Sequence, residues 1–447
     1  MKIAVIGSGI SGLSAAWLLS RAHQVTLFEQ DARPGGHTNT VDVDTTDGRV
    51  PVDTGFIVYN ERNYPNLTAL FDHLGVESRS TKMSFALSLG DGAYEYSGSL
   101  AGFFGQPKNL FDPGHWRLFL EILRFFREAP GAIERDEGPL TLGDALIRRG
   151  YSRRFIEEHL LPMGAAIWST PMERMLQYPA GSFLRFYRNH GLLQLTGRPH
   201  WRSVIGGGRE YVRRLMADAG MDIHLDSGIS RVTRRGENVF VEDRAGVIRK
   251  FDHVVMATHA DQALGLLPDA DDVEHDLLGA FTYQKNLAVL HTDRSLMPRR
   301  RRLWASWNYM KLSGDEPAGG TRTDLCVSYW MNNLQKLDTS TDIFVTLNPP
   351  RMPDPDTTHG TFSYDHPVFD SRAASARERL WHLQGRRRTW FCGSYFGDGF
   401  HEDGIQSGLA VAEQLGGVHR PWSVADESGR IRLNPPAGSV PLPEAAE

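Results

Sequence analysis

The sequence predicts an α/β protein in which a parallel-stranded domain of the dinucleotide-binding type is interleaved with a second domain of mixed sheet and helices. Three observations lead there. Residues 2–6 form a β-branched run, 13–20 read as a helix after a glycine turn, and 24–29 read as a second strand, so the chain opens β-α-β. Residues 229–233, 239–243 and 254–257 alternate or run apolar like sheet strands. Strand 390–392, a Gly-rich turn and a helix over 405–415 close the pattern at the far end of the chain.

Between these segments lie a hairpin over 81–98 turning at Gly90-Asp91-Gly92, helices over 116–127, 141–149, 153–160 and 209–217, and a strand-rich stretch over 281–350. The expected division is therefore discontinuous. Residues 1–75, 205–280 and 385–423 form the nucleotide domain, 76–204 and 281–384 a substrate domain with a helical cap, and 424–447 a loose polar tail.

At 447 residues, two or three domains are expected. A composition that is 40% hydrophobic and 23% charged, with a net charge of -5, is that of a globular protein and gives no reason to expect nucleic acid. Cys326 and Cys392 make no CxxC pair, which argues against zinc, iron–sulfur or disulfide frameworks and suits a reducing cytoplasm. His159, His190 and His291 lack metal-ligand spacing, so no metal is expected. The glycines from Gly7 to Gly12 interrupt any signal-peptide core, and no apolar run reaches membrane-spanning length.

The chemistry starts at Gly7-x-Gly9-x-x-Gly12, placed between the first strand and helix. Gly7 permits the tight turn, Gly9 lets the backbone approach a pyrophosphate, and Gly12 lets helix pack on strand. The helix N-terminus then faces that anion with its partial positive charge. Glu29, ending the second strand, accepts hydrogen bonds from a ribose and disfavours a 2′-phosphate.

The next segment, Glu29-Gln30-Asp31-Ala32-Arg33-Pro34-Gly35-Gly36-His37, resembles the FAD-wrapping extension of the amine oxidase, phytoene desaturase and protoporphyrinogen oxidase superfamily. His37 replaces that superfamily's usual final arginine. Val52-Asp53-Thr54-Gly55 is similar to its next flavin-side loop, Arg231-Val232-Thr233 and 252–258 to its adenine-side strands, and Gly206-Gly207-Gly208 to its internal glycine motif. Cys392-Gly393-Ser394-Tyr395 and the run from Gly399 through Asp403, Gly404 and Ile405 to Gly408 resemble its closing segment. There a helix N-terminus faces the flavin edge that gains negative charge on reduction. Gly404 and Gly408 are expected to let that helix approach the ring.

The resemblance implies non-covalent FAD held by Gly7, Gly9, Ser11, Gly12, Glu29, Arg33, Gly35, Gly36, His37, Asp53, Gly55, Val232, Gly393, Asp403, Gly404 and Ile405. It implies three residues at the reacting centre. Lys285 stands where monoamine oxidases carry a lysine linked through water to the flavin, Phe400 where amine oxidases place an aromatic wall, and His401 beside the ring as a possible donor.

The segments Pro162-Met163-Gly164-Ala165-Ala166-Ile167-Trp168-Ser169, Asn189-His190-Gly191-Leu192-Leu193, Leu290-His291-Thr292-Asp293 and Trp304-Ala305-Ser306-Trp307-Asn308-Tyr309 look like a narrower bacterial group. That group is associated with cyclopropane-fatty-acyl-synthase-like methyltransferases, and one branch desaturates methyl-branched acyl chains toward furan fatty acids. The resemblance thus implies a desaturase of a methyl-branched or unsaturated acyl chain in membrane lipid. An oxidase of a soluble amine or amino acid, and a flavin-stabilised binding protein without turnover, stay open.

Helix 116–127 carries Arg117, Glu121, Arg124 and Arg127 on one side and a broad aromatic and aliphatic face on the other. It suits either a membrane surface or the roof of an apolar channel, and the arginines at 299–302 could meet anionic headgroups. Peripheral contact with the inner face of a membrane is the expectation; the oligomeric state is not readable.

Overall fold

The computed structural model describes residues 1–134, 140–194, 197–311 and 326–433. The strand Lys2–Ile6, the helix Ile10–Leu19 and the strand Gln24–Phe28 form the expected opening. All ten helix residues are buried, because the helix is covered on both sides. Lys2–Ile6 is flanked by parallel neighbours, Gln24–Phe28 on one edge and His253–Met256 on the other. Asp222–His224 and Thr389–Phe391 complete a five-stranded parallel sheet. Ile3, Ala4 and Val5 have no exposed surface, as expected of a central parallel strand covered on both faces. An antiparallel sheet of Ile229–Arg235, Asn238–Asp243 and Ile248–Phe251 precedes the fourth strand.

The second layer is a seven-stranded sheet, in the order Thr358–Val368, Thr282–His291, Phe344–Leu347, Val327–Trp330, Trp307–Lys311, Phe85–Leu89 and Tyr94–Ser97. Phe85–Leu89 joins Trp307–Lys311 in parallel, the one parallel pair in a sheet whose other described pairs are antiparallel. Its edge hairpin turns at Gly90 and Asp91, as read from the sequence, both with positive φ. Helices cover this sheet, the longest being Pro113–Glu134. The fold is the mixed α/β architecture expected.

Three local differences from expectation matter below. The closing helix runs from His401 to Gly416 and starts a turn earlier than 405, with Asp403 accepting a hydrogen bond from Phe400 N at 2.7 Å to fix its first turn. The helix expected over 153–160 continues through Leu161–Trp168, interrupted by a π turn at Ile156–Leu160.

The expected loose tail is packed over 424–433, where Ile431 is buried and Arg430 reaches the closing helix; residues 434–447 lie outside the described residues. Just before it, Trp422 stacks on Trp17 with ring centroids 5.7 Å apart. The packing of Arg430 and the burial of Ile431, among charged and small neighbours, are what its composition conceals.

Candidate functional site

The two layers enclose one continuous cavity of about 1550 Å³. At one end it meets Gly7, Gly9, Ser11, Glu29, Arg33, Gly35, Gly36 and His37. In its middle it meets Gly55, Lys285, Gly393, Phe400 and His401, and it ends among Phe103, Phe119, Ile122 and Phe126. Gly12, Asp53, Val232, Asp403, Gly404 and Ile405 do not reach its wall.

The glycine turn behaves as its spacing requires. Gly7 has φ +102, and a methyl there would sit 2.9 Å from Ala257 O, so only glycine serves. A methyl on Gly12 would overlap Gly7 O and stand 2.9 Å from Ala257 Cβ, which makes this the helix–strand contact. A methyl on Gly9 would meet nothing within 4 Å. That open cradle at a helix N-terminus, with Glu29 across from it, fits the dinucleotide. Glu29 Oε2 accepts from Ser8 N at 3.0 Å and from Ser8 Oγ at 2.5 Å, and Oε1 accepts from Asp31 N at 3.0 Å. The carboxylate thus orders the loop and keeps acceptor capacity on Oε1 for a ribose hydroxyl. Arg33 donates through Nη1 to Gly36 O at 2.9 Å, closing the Gly35–Gly36 turn over the cradle.

His37 donates to the Asp365 backbone, and its ring lies 5.5 Å from His366 and 6.0 Å from His259. Burial, then the three neighbouring histidines His366, His259 and His401, hold its pKa well below the ordinary value. At neutral pH it is an uncharged imidazole and cannot replace the positive charge of an arginine. His259 and His366 also line the cavity and were not singled out from sequence, because they come from separate segments joined only by the fold.

The closing helix corrects the reading of its glycines. A methyl on Gly404 would stand 2.8 Å from Ile10 Cγ2, and one on Gly408 would overlap Ser11 O. Both let the helix approach Ile10–Leu19, away from the cavity wall. Asp403 is fully buried and pairs with Arg430, Nε to Oδ1 2.7 Å. Ile405 has no exposed surface and lies in the apolar core with Ile10 and Leu13.

Asp53 lies behind the wall. It accepts from Thr40 Oγ1 at 2.5 Å, Gly208 N at 2.9 Å and Gln335 Nε2 at 2.7 Å, which ties three segments together, and burial pushes its pKa up to about 7. Val232 N donates to Leu266 O at 2.8 Å, while Ser227 and Ile229 take the cavity side of that region. Cys392 is fully buried off the cavity wall, so its thiol is not presented for covalent attachment.

At the centre, His401 stacks on Phe56 with centroids 3.8 Å apart and an angle of 9°. Its Nε2 lies 2.9 Å from Tyr211 Oη and 3.1 Å from Thr38 Oγ1. Burial takes its pKa down to about 3, so it is a neutral positioning group and no store of protons at neutral pH. Phe400 stacks on Phe186 at 4.8 Å and meets Trp168 edge-on at 6.3 Å, an aromatic wall built from the segments 162–169 and 189–193 and their surroundings. Lys285 lies opposite Asp365 in the antiparallel pair of Thr282–His291 with Thr358–Val368, and both line the cavity. Asp365 Oδ1 is buried with no hydrogen-bond partner among the described residues.

His159 enters the apolar arm from the π turn, a feature that often marks functional sites. Tyr96 donates its hydroxyl to Glu158 O at 2.6 Å and so accepts from His159 Nδ1 at 3.1 Å. That assignment leaves Nε2 as a bare acceptor, and burial takes the ring's pKa down to about 4. Nothing in the sequence spacing marks this position.

Comparison with known proteins agrees with this geometry. The flavin containing amine oxidoreductase family matches residues 10–416. The chain belongs to this family. FAD is its cofactor, and the glycine cradle and the Arg33–Gly36 loop described above fit that group.

Bovine (Bos taurus) amine oxidase [flavin-containing] A is 26% identical to this flavoprotein over 253 residues, which is 54% of this chain and 46% of that one. A 4,4'-diapophytoene desaturase (4,4'-diaponeurosporene-forming) of Staphylococcus aureus (strain bovine RF122 / ET3-1) is 49% identical over 45 residues, 10% of this chain and 9% of its own. The aligned stretches thus span less than half of each relative. Among solved structures, a CLA-producing fatty acid isomerase from P. acnes superposes with a TM-score of 0.65 at 16% identity, covering 92% of this chain and 97% of that one. Putrescine oxidase bound to putrescine gives 0.65 at 14%, covering 93% and 99%. Both share the fold.

Proposed function

We propose that this flavoprotein removes hydrogens from a methyl-branched or unsaturated fatty acyl chain of a membrane lipid. One observation carries the reading: the cavity that begins at the dinucleotide cradle runs past Lys285 and Phe400 and ends in an arm walled by Phe103, Phe119, Ile122 and Phe126. An acyl chain offers no charged handle near its reacting carbons, so its binding comes from apolar burial, at about 0.8 kcal/mol per CH₂. An arm with that lining supplies it. The likeness to a desaturase in sequence, and to a fatty acid isomerase in fold, supports the same class.

FAD supplies the two-electron chemistry when bound. The chain's own residues orient and shield. Phe400 and Phe186 wall the reacting region with Trp168 packed edge-on behind Phe400, and Phe56 and Tyr211 fix His401 as a neutral ring. Lys285 is the cation of the cavity's middle, and its burial beneath substrate would make it the group that moves a proton.

An amine substrate needs a carboxylate or an aromatic cage to meet its ammonium group. The carboxylates on the cavity wall are Glu29 and Asp31 at the dinucleotide end and Asp365, whose cross-strand neighbour is Lys285. Asp365 and the Phe400 wall could meet an ammonium group, but an amine leaves the apolar arm unused, so the acyl reading accounts for more of the cavity.

The test is anaerobic. Detergent-dispersed lipids with methyl-branched or unsaturated chains should bleach the flavin and yield a product lighter by two hydrogens, while a panel of amines should not. Bleaching by an amine with no response to any acyl lipid would replace this reading with amine oxidation.

A further inference from the structure

Of the twelve exposed large hydrophobic residues among the described residues, five fall within 100–120: Leu100, Leu110, Phe111, Trp116 and Leu120, exposed by 44% to 86%. They form one surface. Phe104 N bonds Leu100 O, the Phe104 ring lies 4.6 Å from that of Trp116, Trp116 Nε1 donates to Leu110 O at 3.0 Å, and Leu120 follows one helical turn on. A contiguous apolar surface of this kind marks an interaction site.

We propose that residues 99–120 form a docking face that sets the mouth of the cavity against an anionic lipid bilayer. This rests on the acyl-lipid reading for its purpose, and on three observations for its placement. The first is the mouth itself: Ser99 and Leu100 line the cavity, and Leu100 is 68% exposed, so the cavity opens inside the apolar surface.

The second is charge. Lys108, Arg117 and Arg302 are exposed around the surface; Arg117 lies 3.5 Å from buried Glu121 but stays 68% exposed, and Arg302 donates to Gly105 O, directly beside Phe104. Of the acids beside them, Asp112 is paired with Arg154 at 2.9 Å and Glu121 is buried. The exposed rim is thus cationic around an apolar centre, which complements anionic headgroups over acyl chains.

The third is rigidity. Gln106 accepts from Glu95 N at 2.9 Å and Asn109 donates to Glu95 O at 3.0 Å, so two buried amides anchor the protruding 107–111 turn to the sheet edge. Phe111, the most exposed of the five at 86%, is carried on that turn. The indole N–H of Trp116 is already bonded inside the protein, so its exposed surface is ring carbon. No helix among the described residues is long and apolar enough to cross a membrane, so the contact is interfacial.

The arginines at 299–302 contribute less than their number suggests. Arg300 is spent on buried Glu95 at 2.7 Å and Arg301 on Asp342 at 2.7 Å.

The experiment is co-sedimentation of the holoprotein with phosphatidylcholine vesicles, with and without phosphatidylglycerol. The phosphatidylglycerol vesicles should bind more protein, and the bound fraction should fall as salt rises. Phe111→Ser with Leu120→Ser should lower partitioning about ten-fold or more. Lys108→Glu with Arg117→Glu should erase the preference for phosphatidylglycerol, at about five-fold per removed cation. Ile147→Ser, at a residue 75% exposed but outside this face, should bind as the unaltered protein does.

The proposal is overturned if the unaltered protein ignores both vesicles, or if the Phe111/Leu120 variant binds undiminished. It is also overturned if that variant converts a dimer to a monomer in sedimentation equilibrium, which would assign the face to a second copy of the chain. Bleaching by detergent-dispersed lipid without vesicle binding removes this face and leaves the acyl reading; vesicle binding without bleaching does the reverse.

Discussion

Arg430 Nε lies 2.7 Å from Asp403 Oδ1, and through that contact a residue near the C-terminal end of the described chain holds the first turn of the helix aimed at the cavity. Asp403 has no exposed surface, and burial raises its pKa while Arg430 opposes the rise. The same guanidinium lies 5.9 Å from the Phe400 ring centroid, so one side chain steadies both the helix cap and the aromatic wall.

Removing that guanidinium strands a buried carboxylate. Arg430→Met should cost about 3–5 kcal/mol, the range for breaking a buried pair by deleting one partner. Adding Asp403→Asn should recover part of the loss, because no uncompensated charge is left. Urea unfolding of both variants checks this; equal destabilisation in the two would show that the pair's charge is not what matters.

The glycine turn separates cofactor binding from folding. A methyl at Gly9 meets no protein atom within 4 Å, and Gly9 already has an extended conformation with φ -63 that alanine accepts. Gly9→Ala should therefore leave the melting temperature of the apoprotein nearly unchanged while FAD affinity drops about ten-fold or more, or ~1.4 kcal/mol. Gly12→Ala should destabilise the apoprotein itself, by about 1–3 kcal/mol or more for overpacking, because its methyl overlaps Gly7 O. Flavin titration and thermal melts of the two apoproteins distinguish the effects.

The contrast between these two regions shows what was legible beforehand. Gly7, Gly9, Gly12 and Glu29 were readable because a local turn between strand and helix dictates their spacing, and no distant residue is needed to explain them. Arg430 was hidden, since an arginine in a polar, Pro-rich segment looks solvated until Asp403 is placed beside it; Trp422 and Ile431 were the available signals.

Gly404 and Gly408 were correctly read as close-approach positions, but the approaching element was misassigned. Small residues one turn apart announce tight packing without naming the partner. Glu121 failed for a related reason. It was placed on a polar side of its helix, yet it is buried against Ser152, accepting from Ser152 N at 3.1 Å, while Trp116 and Leu120 face outward. Periodicity ranks faces by polarity, but a buried polar face satisfied by a neighbouring segment inverts that ranking. His159 needed the π turn, which no residue pattern in the sequence marks.

Lys285→Met tests the cation at the cavity's middle. Lys285 lies opposite Asp365, and among the described residues its side chain makes no hydrogen bond or ion pair, so its loss should spare the fold and FAD content. If it moves a proton, flavin reduction by substrate or re-oxidation by oxygen should slow by about ten-fold or more. Stopped-flow measurement of both half-reactions decides it, and unaltered rates in both would return Lys285 to a passive position on the wall.

The buried histidines set the acid limit of the protein. His366, His159 and His401 have pKa values lowered by burial to about 4, about 4 and about 3, and His37 is also held well below its ordinary value. Each is neutral when folded and free to protonate near pH 6.5 when unfolded. Their folded pKa values are depressed, so the unfolded chain binds more protons below pH 6.5, and stability falls as pH drops from there toward the folded values. At pH 5.5 each fully neutral ring contributes a loss of about 1.4 kcal/mol relative to neutral pH. His366 Nδ1 accepts from Asn286 Nδ2 at 3.0 Å, and a glutamine oxygen can take over that role. His366→Gln should therefore reduce the stability difference between pH 7.5 and pH 5.5 by about 1 kcal/mol in urea unfolding of the holoprotein. A difference identical to that of the unaltered protein would mean that this ring takes up its proton without unfolding, and that the cavity admits charge where its burial says it does not.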